Sequence, residues 1–269
     1  MPAESHHIRF RNSRIHYLRM GKGPEWLFCF HGYGENAGSF GLLENALGSR
    51  YTLVALDFPF HGKTDWQEGL IFEPADLMAI IQLIMQEKKP FCLMGYSMGG
   101  RVALDLLDRM PDQVTKLLLV APDGLHNKPW QMLATRTRLG NRLFSYLMQH
   151  PKWTHWYMQW MERLGLYNKE LLRFVHYYLD DREERITLYQ RWTTMRRFRP
   201  DQKRLKKSIR EKNIKIHCIF GKYDRVILTK HGRKFSRNSE SQISITEIEA
   251  GHQLLKEKYI PQIIPLLIE

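Results

Sequence analysis

The sequence predicts an α/β fold in which a mostly parallel sheet is flanked by helices and interrupted by one helical insertion. Three observations lead there. Short apolar and β-branched runs alternate with segments of helical periodicity, the pattern of strands joined through crossover helices. That alternation stops after Ala121 and resumes only at Ile214, so the 89 residues from Pro122 to Arg210 lie between two strands without supplying one. The 269 residues are 43% apolar and 26% charged, enough to bury a sizeable core and far from the composition of a disordered chain.

Taken in order, strands are expected at His6–Phe10, Arg14–Met20, Trp26–Phe30, Tyr51–Leu56, Phe91–Gly95 and Lys116–Ala121, each a short run rich in apolar or β-branched side chains. Helices fill the gaps. Pro74–Glu87 places Leu77, Ile80, Ile81 and Ile84 on one face, and Met98–Met110 is stopped by Pro111, which cannot continue a helix. After the insertion come a strand at Ile214–Phe220, a helix near Lys230–Ser236, a strand at Ile243–Ile248 and a closing helix from about Leu254. The organisation expected is a core domain from residues 1–121 and 211–269 with residues 122–210 inserted as a helical, basic unit.

Charge separates the two parts. The insertion holds 19 Lys and Arg against 8 Asp and Glu, whereas the other 180 residues are nearly balanced at 22 against 20, so most of the net charge of +13 lies in the insertion. Five of the seven tryptophans, Trp130, Trp153, Trp156, Trp160 and Trp192, lie there too, with Trp153, Trp156 and Trp160 on one helical face. Packing on the main domain is the favoured reading of that face, ahead of insertion into a membrane surface. The basic run from Arg196 to Arg210 reads as a solvated face, because no nucleic-acid-binding motif accompanies it.

Several function classes are excluded or disfavoured. No apolar run approaches the ~20 residues of a membrane-spanning helix, since Ile71–Met85 is interrupted by Glu73 and Asp76. The polar segment Met1–Arg14 has no signal-peptide core, and the expected location is the cytoplasm. Cys29, Cys92 and Cys218 are far apart and sit in apolar runs, which suits buried small hydrophobes rather than disulfides or a thiolate metal site. Gly62, Lys63 and Thr64 resemble the end of a phosphate-binding loop, but the required first glycine would fall at Asp57. Neither a metal nor an organic cofactor is expected.

The chemistry is concentrated in Gly95, Tyr96, Ser97, Met98 and Gly99, a G-x-S-x-G pattern directly after a buried strand and directly before an amphipathic helix. A serine on so sharp a turn stands clear of the sheet, and the glycines remove side chains where the backbone folds back; Gly100 relieves the same crowding. The helix start also aims unpaired N–H groups at any anion formed beside Ser97. A serine hydroxyl needs a histidine base, and the base needs a carboxylate to fix its tautomer. His252 follows the last strand and Asp224 the strand before it, giving the chain order Ser, Asp, His; Asp123, which also follows a strand, is the alternative acid. His31, Gly32, Tyr33 and Gly34 follow the third strand, where backbone N–H groups of Tyr33 and Met98 would form an oxyanion hole.

These residues together resemble the α/β-hydrolase superfamily over roughly Glu25–Ala121 and Ile214–Glu269, and Asp57, Pro59, His61 and Gly62 look like that family's loop after the fourth strand. The resemblance implies an α/β-hydrolase fold, with the insertion in the position of the family's cap. It implies a serine hydrolase acting on an ester or related acyl substrate, with anionic substrates suited to the basic insertion. Phe60, Leu228 and Tyr259 depart from residues common in the family, a glycine and two prolines respectively. A serine in the elbow disfavours the branches that use a carboxylate nucleophile. Gly95–Arg101 also resembles the elbow of the synthases that make 2-succinyl-6-hydroxy-2,4-cyclohexadiene-1-carboxylate in menaquinone biosynthesis, which eliminate pyruvate. That second resemblance implies substrate-holding roles for Tyr96 and Arg101.

Overall fold

Eight strands form one sheet in the order β1-β2-β4-β3-β5-β6-β7-β8. The structure, a computed structural model, describes residues 3–126, 129–150 and 181–268. The strands are β1 Glu4–Phe10, β2 Ser13–Met20, β3 Glu25–Phe30, β4 Tyr51–Leu56, β5 Phe91–Tyr96, β6 Val114–Val120, β7 Lys215–Gly221 and β8 Ile243–Ile248. β2 runs antiparallel to both β1 and β4, and every other neighbouring pair is parallel. The inner strands β4 and β5 are buried at every position, because helices cover both faces of a parallel sheet. Ends differ from the sequence reading by a residue or two in either direction: β6 begins two residues earlier and stops before Ala121, whose φ is 42°, and β7 begins after Ile214.

The helices that position the site are α1 Pro74–Met85 and α2 Met98–Arg109. In α1 the Glu73 and Asp76 side chains satisfy each other's end of a capping box, and Gln86, left-handed at φ 58°, ends the helix before the expected Glu87. The inserted sequence supplies α3 Pro129–Arg136, α4 Arg138–Gln149 and α5 Arg182–Thr194, after which come α6 Gln202–Glu211 and α7 Thr229–Ser236. The single closing helix expected from Leu254 is instead three short turns, Glu257–Tyr259, Ile260–Ile263 and Pro265–Ile268. Pro261 and Pro265 account for the break, each removing an N–H. Tyr51 Oη, which donates to the Leu267 carbonyl at 2.7 Å, pins this segment to the sheet.

The chain divides into two compact units. The larger holds residues 3–68, 72–126 and 197–268; the smaller holds the described parts of 69–71 and 127–196. The larger unit therefore claims residues 197–210, which sequence reading places in the insertion. The cause is on α2, where Asp105 and Asp108 are buried carboxylates. Asp105 accepts from the Arg199 N–H at 2.7 Å, and Asp108 accepts both the Asp201 N–H and a two-pronged Arg204 guanidinium at 2.7 and 2.6 Å. Leu205 and Ile209 bury the apolar face of α6. The apolar face of this segment is thus built into the core, while its basic side chains stay largely exposed, Arg204 pairing with Asp108 from a half-exposed position.

In the smaller unit, Thr137 caps α4 and Asp181 caps α5, each accepting backbone N–H groups. Asn141 donates to Thr193 at 3.0 Å and accepts from Tyr189 Oη at 3.0 Å, while Phe144 packs against Tyr189 and Trp192. The side chain of Trp130, and Trp153, Trp156 and Trp160, lie outside the described residues.

Candidate active site

Ser97 occupies the turn between β5 and α2 with φ 50°, a left-handed conformation that non-glycine residues rarely adopt. Its N–H bonds the Val120 carbonyl at 3.0 Å, and its carbonyl accepts from Gly100 and Asp123 at 2.9 and 2.8 Å, so three backbone bonds hold the strained turn. The glycines are sterically required. A Cβ on Gly99 would collide with the Phe30 carbonyl of β3, and one on Gly95 would come within 2.5 Å of the Gly99 carbonyl oxygen.

The elbow, the loop after β7 and the loop after β8 bring three predicted residues together. His252 Nε2 lies 3.0 Å from Ser97 Oγ, and His252 Nδ1 lies 2.7 Å from Asp224 Oδ2. Asp224 is fully buried, and its other oxygen accepts the Val226 and Ile227 N–H groups at 2.7 and 2.9 Å. An ionised carboxylate only accepts, so Nδ1 carries the imidazole proton and Nε2 is left to accept from the serine. Asp123, the alternative acid, points elsewhere: its carboxylate takes Arg101 at 3.1 Å.

The other predicted residues are placed as follows. Gly32 lies against Ser97, since a Cβ built on it would stand 3.3 Å from Ser97 Cβ, which brings the Tyr33 loop beside that serine. Met98 is the first residue of α2, where a backbone N–H has no partner within the helix. His31 fixes the loop from beneath. Its Nδ1 donates to the Gly32 carbonyl at 2.7 Å and its Nε2 accepts the Phe58 N–H at 3.1 Å. Tyr96 is buried, and its hydroxyl donates to the His252 carbonyl at 3.2 Å; burial pushes its phenol above the ordinary range, with Glu35 and Asp224 acting in the same direction. Tyr96 and Arg101 are therefore both engaged within the protein, one on His252 and the other on Asp123.

Asp57 explains the motif after β4. It accepts the Ala37 and Lys63 N–H groups at 2.6 and 2.8 Å, tying the Tyr33 loop to the β4 loop, and Gly62, at φ +52°, leaves the space its carboxylate fills. Phe60 takes the left-handed φ of 62° where a glycine is common in the family.

Sequence reading missed Glu35. This half-buried residue carries a carboxyl raised above its ordinary 4.5 by burial, against the opposing influence of Ser39 and His252. Its Oε2 is buried without a hydrogen-bond partner among the described residues. Cys29, Cys92 and Cys218 are buried free thiols, all raised by desolvation, Cys218 to about 12. Among the described residues no group of three or more His, Cys, Asp or Glu is placed to hold a metal ion, and no helix is long and apolar enough to cross a membrane.

An eight-stranded, mostly parallel sheet with a serine elbow after its fifth strand defines an α/β-hydrolase, and the chain is an enzyme of that hydrolase superfamily. More particularly, it belongs to the family described as serine aminopeptidase, S33, whose model matches residues 24–259. The chain is 24% identical over 267 residues to the uncharacterized hydrolase YugF of Bacillus subtilis, covering 93% of this chain and 89% of that protein. A shorter match, 30% identical over 125 residues, is to the pimeloyl-[acyl-carrier protein] methyl ester esterase of Aeromonas salmonicida, covering 45% of this chain and 48% of that protein. Among solved structures, an α/β-hydrolase fold protein from Burkholderia ambifaria superposes with a TM-score of 0.65 at 14% identity, covering 98% of this chain and 97% of that one. A structure from work on carboxylesterases of Nitrososphaera gargenis gives 0.66 at 12% identity, covering 98% of both chains.

Proposed function

We propose that this chain is a serine esterase that cleaves a carboxylic ester through an acyl-enzyme. The observation that carries the reading is the unbroken relay from Ser97 through His252 to the buried Asp224, mounted on a strained turn at a helix start. In the reaction, Ser97 Oγ attacks the ester carbonyl while His252 Nε2 takes its proton, and Asp224 holds the ring and stabilises the imidazolium. The Tyr33 and Met98 N–H groups stabilise the oxyanion, a donor of this kind contributing about 3 kcal/mol. His252 then protonates the departing alkoxide, and water, activated by the same imidazole, releases the acid. The similarity to enzymes named as pimeloyl-[acyl-carrier protein] methyl ester esterases supports an oxygen ester as the substrate class. The basic insertion favours a substrate bearing negative charge and, by its position in the chain, serves as the cap.

The pyruvate-eliminating alternative leans on Tyr96 and Arg101 as substrate holders. Both have partners inside the protein, so the ester reading is preferred. The test is intact-mass analysis after a fluorophosphonate, in the native protein and in Ser97→Ala and His252→Ala. An adduct that requires both residues is expected. A folded native protein that takes none at Ser97 would overturn the proposal.

A further inference from the structure

A second relay of the same three residue types lies at the sheet edge, outside the Ser97, His252 and Asp224 relay, with Asp57 shared between it and the support of the Tyr33 loop. Ser5 of β1 and His16 of β2 project from the same face of the first hairpin, and Ser5 Oγ lies 2.9 Å from His16 Nε2. His16 Nδ1 in turn lies 2.6 Å from Asp57 Oδ2. The spacings match those of Ser97, His252 and Asp224, at 3.0 and 2.7 Å. The carboxylates are also alike: Asp57, 2% exposed, accepts two backbone N–H groups, as Asp224 does. With an acceptor-only carboxylate at Nδ1, the neutral His16 ring presents its Nε2 lone pair to Ser5, and the serine donates. His16 is 3% exposed whereas Ser5 is open to solvent, so the base is shielded and the hydroxyl is reachable.

We propose that Ser5 is a second activated serine of this chain, an acylation site for carboxylic acyl donors with a readily departing leaving group. In that step Ser5 Oγ attacks the acyl carbon and its proton passes to His16 Nε2. The bond from carbon to the leaving group breaks with its electron pair, and His16 gives its proton to the departing anion or to water. The products are an ester on Ser5 and the free leaving group. What Ser5 lacks is the setting of Ser97. It lies in the extended edge strand, with no helix starting at it to offer oxyanion donors. Absent donors of that kind slow acyl transfer by about 10²–10³. Deacylation suffers the same loss, and because the serine ester has a far poorer leaving group than the activated donor, the modification accumulates instead of turning over.

The experiment uses full-length Ser97→Ala protein, which removes the faster serine, exposed to p-nitrophenyl acetate and followed by intact mass and peptide mapping. Ser5 is expected to acetylate about 10²-fold faster than the exposed Ser241, the scale of a positioned general base. That preference should vanish in urea. The Ser5→Ala, Ser97→Ala double variant should lose the adduct, while Ser5→Ala alone, a surface change, keeps wild-type ester turnover. Acetylation of Ser5 at the rate of Ser241, or at equal rates folded and unfolded, would overturn the proposal and leave the hydroxyl as a cap on His16.

Discussion

At the scale of single residues, the active site is a question of which protons are fixed in place. Asp224→Asn keeps the shape but offers His252 Nδ1 a donor on one face, which favours the wrong tautomer; kcat is expected to fall about 10⁴-fold in steady-state ester hydrolysis with little change in KM. Glu35 yields a prediction of the opposite kind. Its carboxyl is raised in the folded state by burial, so the folded protein holds that proton more tightly than the unfolded chain does. No cost arises below the unfolded value; the cost grows as pH rises from there through the raised folded value and is complete above it. Glu35→Gln should therefore raise Tm at pH 8 and lose that gain as pH falls below the ordinary glutamate range, a trend that calorimetry at several pH values would check. Ser97, Asp224 and His252 were legible in the sequence because each sits at a fixed offset from a strand end. Glu35 and the pairing of Ser5 with His16 were not, since their meaning depends on neighbours that only the folded chain supplies.

At the scale of elements, the strand–turn–helix unit around Ser97 depends on backbone surfaces meeting without side chains between them. Gly99→Ala drives a Cβ into the Phe30 carbonyl, and a cost of about 3 kcal/mol or more is expected, seen as a lower urea midpoint together with lost fluorophosphonate labelling. The contact between α2 and α6 works through charge. Arg204→Ala leaves Asp108 buried with less compensation, and a loss of about 1–2 kcal/mol is expected, below the range for fully buried pairs because the Arg204 side chain is itself half exposed. Equal stability of Arg204→Ala and wild type in urea would count against that account. Here the sequence was half readable: apolar runs marked all eight strands, yet the basic residues that dock α6 looked like any solvated run. The closing segment was misread for a related reason. Its apolar residues keep a helical rhythm, and the two prolines that divide it act through hydrogen bonds, which apolar periodicity does not register.

At the scale of the whole molecule, the net charge of +13 places a positive potential around the chain that a small anionic ester would feel before contact. For such an ester, kcat/KM is expected to drop severalfold between about 10 mM and 300 mM salt, a span that shortens the Debye length from roughly 30 to under 10 Å, while a neutral ester of the same shape stays nearly constant. A flat response for both would remove charge from the account of substrate choice. The mostly parallel topology and the gap between β6 and β7 were visible in the sequence. The end of the smaller unit at Arg196 was not, because it is set by two carboxylates 93 and 94 residues upstream of the backbone groups they hold. The wide spacing of Ser97 and His252 also has a consequence in time. At roughly 5–20 residues per second a ribosome needs on the order of 10–30 s to travel the 155 positions between them. The elbow is thus made well before the histidine that faces it, and on the proposed mechanism a nascent or prematurely terminated chain that stops short of β8 carries an inert hydroxyl instead of an armed one.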